Sequence, residues 1–246
     1  MRRLIVLLLL LALPVTACTF EFQTFPQTDE RTQTPGPAPV TEGSAPGNEQ
    51  NLEGPNINYK GIRFTLDPAL GSRVYAFDEE ITLDDATARY TRFAMNSEEG
   101  CQTWCLMIYP VSEFKQAFGS FVFPPLGYRG GSNVIFEAQK KSLSFQNGSG
   151  ERGLETFGQD HYGVSNESLK YVFRGYTTDQ QYGVYLQVPA RAANLSDTVP
   201  TTTSVDEILQ YNRQAAEAMN ALIPADFTPN LGLLDALIAS IEVGTP

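Results

Sequence analysis

The hydrophobic rhythm of the chain changes twice. Leu4 to Val15 is an unbroken apolar run of 12 residues. Thr19 to about Ile57 then has few aliphatic residues and is rich in Pro, Thr, Gly, Gln and Glu, with Thr34 to Pro39 at its centre. Such a stretch cannot bury enough apolar surface to offset ordering, which predicts a disordered stalk. As a flexible coil, its 39 residues would average about 35 Å end to end. From Asn58 onward apolar and polar residues alternate, which predicts one domain over 58–246.

Within that domain, Gly61 to Leu66 alternates as a strand and ends at the Asp67-Pro68 turn signal. Arg73 to Phe77, Ala88 to Met95 and Trp104 to Tyr109 continue the strand pattern. Pro110 to Phe118 shifts to helical spacing, with Val111, Phe114 and Phe118 on one face. Val134 to Gln146 and Gly153 to Phe157 flank Asn147-Gly148-Ser149-Gly150, and Asn-Gly between strands is a strong hairpin signal. Leu169, Tyr171 and Phe173 alternate up to Thr177–Gln180, and Tyr182, Val184, Leu186 and Val188 alternate back, predicting a second hairpin. At the C-terminus, Ser204 to Glu207 fits a capping box, followed by Ile208, Tyr211, Ala215, Met219 and Leu222 at helical spacing. Thr228 is the expected cap of a further helix, with Pro229 at its first position and Leu231, Leu234 and Ile238 on one side. The expectation is an α+β fold, a single antiparallel sheet covered by helices, two of them C-terminal.

The apolar run acquires a meaning from its flanks. Arg2 and Arg3 precede it, and Val15-Thr16-Ala17-Cys18 follows, which resembles the lipobox of bacterial lipoproteins. Twelve residues rise only about 18 Å as a helix, short of a hydrocarbon core of roughly 30 Å. The resemblance implies a signal peptide over 1–17, removal of that leader and diacylation of the Cys18 thiol. Residues 18–57 would then be the lipidated N-terminus and linker. Two acyl chains make a lasting tether where one does not, so the expected address is the extracytoplasmic face of a cell membrane. Phe20, Phe22 and Phe25 lie directly after the lipid site, where aromatic side chains can enter the membrane interface.

Compartment and charge narrow the partners. With Cys18 acylated, Cys101 and Cys105 are left as an even pair that can oxidise outside the cytoplasm. A closed zinc site needs four ligands, and beyond this pair His161 is the sole histidine. A bridge needs Cα atoms within about 7 Å, whereas four extended steps span roughly 13 Å, so residues 101–105 must bend. The chain carries 17 Lys and Arg against 28 Asp and Glu, a net −11, and loss of Arg2 and Arg3 deepens it. Nucleic acid is an unsuitable partner for this surface, because phosphate affinity comes from clustered cations and Lys140-Lys141 is the lone basic doublet. The partners expected are the membrane, through Cys18, and an unidentified protein or small ligand.

No motif for catalysis stands out. A Ser-His-Asp hydrolase would have to use His161 with Ser165 and Asp160, but no Gly-x-Ser-x-Gly elbow is present. Asp78, Glu79, Glu80, Asp84 and Asp85 form the densest acidic run, a class of ligand suited to calcium, yet the spacing fits no EF-hand loop. Gly130-Gly131 lacks the lysine of a phosphate-binding loop, and no dinucleotide fingerprint occurs. No cofactor or metal is therefore expected. Phe121 to Tyr128 is an aromatic, proline-broken segment that either lines a ligand groove or folds back on the core.

The opening Gly61 to Pro68 and the closing Leu234 to Val243 resemble the ends of Mog1/PsbP-like domains, which implies an α/β/α sandwich. Asn58 to Val243 is also similar to uncharacterised bacterial lipoprotein domains, through Phe145 to Gly150 and Phe227 to Leu237. Neither resemblance brings an activity. The function expected is a non-catalytic binding or interaction domain at the cell envelope. The alternatives are a small envelope hydrolase acting on glycan through carboxylates and a structural subunit.

Overall fold

The computed structural model describes residues 50–83, 86–96, 104–119, 133–158, 160–199, 201 and 204–244, all within the unit Ser44–Pro246. Cys18, Asp84, Asp85, Cys101, Phe121 to Tyr128 and Gly130-Gly131 lie outside the described residues. The architecture is mixed and mostly strand, built on one eight-stranded antiparallel sheet that the helices cover only in part.

The sheet runs β1-β4-β5-β6-β10-β9-β8-β7. Its strands are β1 (Gln50–Glu53), β4 (Arg73–Leu83), β5 (Ala86–Met95), β6 (Cys105–Pro110), β7 (Asn133–Phe145), β8 (Gly148–Gly158), β9 (Lys170–Thr177) and β10 (Tyr182–Pro189). The hairpin β9–β10 is inserted beside β6, so a late segment occupies the middle of the sheet. A second sheet joins β2 (Asn56–Tyr59), β3 (Ile62–Thr65) and β13 (Glu242–Val243) in the order β13-β3-β2. A two-stranded ladder pairs β11 (Arg191–Ala192) with β12 (Phe227–Thr228). The helices are α1 (Val111–Phe118), α2 (Val205–Asn220) and α3 (Leu231–Ser240).

Strand alternation divides the interior in two. Val74, Phe93, Leu106, Tyr171, Phe173 and Leu186 point to the face covered by α2, α3 and the small sheet. From α3, Leu231, Leu234 and Ile238 have no exposed surface, each contributing roughly 1.5–3 kcal/mol. Ala88, Met107, Tyr109, Val172 and Tyr185 point to the opposite face, where α1 adds Val111 and Phe114. Phe114 meets Tyr109 at a ring-centroid distance of 4.6 Å.

Several expectations need correction. Among the described residues, β1 at Gln50–Glu53 lies inside the stretch 18–57 expected to be linker. β1 has exposed or half-buried side chains and joins the sheet edge through its main chain, so no hydrophobic alternation marks it. The β7–β8 hairpin turns at Gln146-Asn147, with β8 starting at Gly148. Thr228 belongs to β12 and does not cap a helix; the cap of α3 is Asn230, whose Oδ1 accepts from Gly232 N at 2.8 Å. Ser204 does cap α2, accepting from Glu207 N. Among the described residues no helix is long and apolar enough to cross a membrane.

Candidate functional site

The face under α1 carries polar groups that its apolar neighbours do not predict. The register places Phe77, Arg92, Met107, Tyr185 and Arg174 side by side across five strands. Arg92 is 6% exposed and Glu155, near the other end of the face, 4%. Charges so enclosed require partners, and each has one.

Glu79 of β4 takes Arg92 Nε at 2.9 Å and Nη2 at 2.6 Å on Oε1. Its Oε2 accepts the Tyr90 hydroxyl at 2.7 Å. Burial, then the Glu79 carboxylate, pushes the Tyr90 hydroxyl well above its ordinary range. The Arg92 guanidinium lies over the Phe77 ring, Cζ 4.1 Å from the centroid, a cation–π contact that fixes its plane. Three strands away in the same row, Arg174 forms a two-point pair with Glu155, Nη2 to Oε2 at 2.7 Å and Nη1 to Oε1. Burial alone would lower the Arg174 pKa, but the Glu155 hydrogen bond and charge outweigh it and raise it. Tyr185 donates to Gln187 Oε1 at 2.9 Å. Lys170, half-buried at the same end, has its pKa lowered by burial.

Glu79 and Glu155 both lie against guanidinium groups. Fixed arginines in aromatic surroundings are hydrogen-bond donors with defined directions.

The residues singled out in the sequence are dispersed. His161 and Asp160 are exposed, while Ser165 is buried and its N–H donates to Ser168 Oγ at 3.1 Å. Strand alternation splits the acidic run. Asp78 turns toward Tyr59, Lys60 and Thr91, Glu79 toward Arg92, and exposed Glu80 reaches Arg89. Among the described residues no group of three or more His, Cys, Asp or Glu could hold a metal ion. Lys140 and Lys141 are separately paired, with Glu137 and Asp235. Cys105 has no exposed surface. An open depression of about 220 Å³ lies along α2, lined by Leu195, Tyr211, Ala215 and Met219 among others.

Arg92, Arg174, Glu155 and Lys170 were missed from sequence. The available signal was a charged residue on the apolar side of a strand, as in Ala88, Tyr90, Arg92, Ala94. No family model, curated protein or solved structure matches the chain.

Proposed function

We propose that this is a lipid-tethered protein on the extracytoplasmic face of a cell membrane, whose sheet domain binds a ligand or partner without catalysing a reaction on it. The tether is the acylated Cys18, on the evidence of the Arg2-Arg3 start, the 12-residue apolar run and the small residues before the cysteine. The binding role rests on one observation. The carboxylates of the α1-side face, half-buried Glu79 and buried Glu155, are each engaged by an arginine, an arrangement suited to presenting donors. The same reading pairs Cys101 with Cys105. The layer order inferred is an α/β/α sandwich of the Mog1/PsbP-like kind, since α1 lies on one face of the sheet and α2 and α3 on the other.

The test has two arms. Metabolic labelling with a fatty acid should mark the wild type and not Cys18→Ala, which should leave the membrane fraction; a labelled variant removes the tether. Incubating the purified domain with cell-wall glycan should release no soluble sugar. Release that Glu79→Gln or Glu155→Gln abolishes would establish the hydrolase instead.

A further inference from the structure

Arginine offers five N–H donors, and Glu79 engages only the Nε and Nη2 edge of Arg92. Nη1, at the remaining corner of the planar group, exposes less than 1 Å² and has no hydrogen-bond partner among the described residues. The large majority of enclosed polar groups in native proteins are hydrogen-bonded, and one left unpaired is destabilising. Glu79 cannot turn to serve it, because Oε2 is held by Tyr90 and Oε1 by the other two guanidinium nitrogens. The Phe77 ring keeps the guanidinium in place.

A buried water is a poor occupant. Such a water is held by 2–4 polar partners on average, whereas the cross-strand neighbours of Arg92 are Phe77 and Met107, and Ala94 follows it on the same face. An oxygen that needs one donor and has an apolar backing fits better. An anion is disfavoured as well, since Glu79 already neutralises the guanidinium and the chain is at −11 overall.

We propose that Arg92 Nη1 binds the neutral carbonyl oxygen of an amide-bearing ligand, with Phe77 and Met107 receiving the apolar atoms beside it. The inference deepens the binding role proposed above and rests on it. Because the donor is enclosed, the oxygen reaches it by local opening of the face.

The test is a titration of the full chain, isotopically labelled, watching the arginine side-chain resonances by NMR with three probes: N-methylacetamide, N-acetylglucosamine and acetate. Saturable shifts of the Arg92 Nη resonances with either amide, and none with acetate, are expected; which amide acts distinguishes a peptide-like from a sugar-borne source. Glu79→Gln gives the site a net positive charge, so this variant should gain a response to acetate. Unshifted Arg92 resonances with both amides, a stronger response to acetate in the wild type, or an ordered water as the sole partner of Nη1 would each overturn the proposal. Glycan turnover by the domain would instead overturn the binding role, so the two failures are distinguishable.

Discussion

Asp235 ties three side chains of the sheet to α3. It sits on α3 and faces the sheet, where Arg152 Nε reaches its Oδ1 at 3.2 Å, the Tyr171 hydroxyl reaches the same oxygen at 3.1 Å, and Lys141 reaches Oδ2 at 2.9 Å. The side chains of Arg152 and Asp235 are 3% and 12% exposed, and Tyr171 is fully buried. Burial, then the Asp235 charge, drives the Tyr171 hydroxyl far above its ordinary range. Asp235→Ala would strand an enclosed guanidinium, for which about 3–5 kcal/mol is the usual loss, with the phenol losing its acceptor as well. In a domain of this size the midpoint should fall by roughly 10 °C. Asp235→Asn keeps one acceptor and should lose less. Replacing both partners, as in Arg152→Met with Asp235→Leu, should be milder than Asp235→Ala, because no enclosed charge is left alone. Urea unfolding followed by circular dichroism measures all three. An Asp235→Ala variant within 1 kcal/mol of wild type would refute the reasoning, since such a loss is that of an exposed pair.

Two further outcomes follow from local structure. Burial alone would raise the Asp78 pKa, but hydrogen bonds from Lys60, Tyr59 and Thr91 outweigh it and hold it below the ordinary aspartate value. A carboxyl with a depressed folded pKa contributes stability above its unfolded pKa and loses it as pH falls through the folded one. The stability gap between wild type and Asp78→Asn should therefore close below about pH 4, which urea titrations at successive pH values would show; a gap that widens there contradicts the sign. Ile238→Ala, at a fully buried α3 position, should cost about 2–5 kcal/mol by the same unfolding assay.

What could be read from sequence followed from period and punctuation. The β9–β10 hairpin was legible because Tyr171 and Phe173 alternate into Thr177–Gln180 and Tyr182, Val184 and Leu186 alternate out. Met219 and Ile238 marked their helices in the same way, both fully buried. β1 was not legible, because an edge strand held by main-chain pairing needs no apolar row. The α3 cap fell at Asn230 because Thr228 is drawn into pairing with Arg191. The Arg92–Glu79 pair escaped for another reason: its partners are 13 residues apart and become neighbours only through the β4–β5 register. Sequence adjacency misled in the opposite direction for the acidic run, since successive strand residues face opposite sides.

Closure of the small sheet sets an order of events for the newborn chain. Its third strand pairs Val243 with Ile62, and Asn147 clasps Val243 from both sides, accepting from its N–H and donating to its carbonyl. Until residues 242 and 243 are in place, Ile62 lacks that neighbour and the clasp has nothing to hold. A chain shortened before Glu242 would leave β3 paired with β2 alone and the latch open.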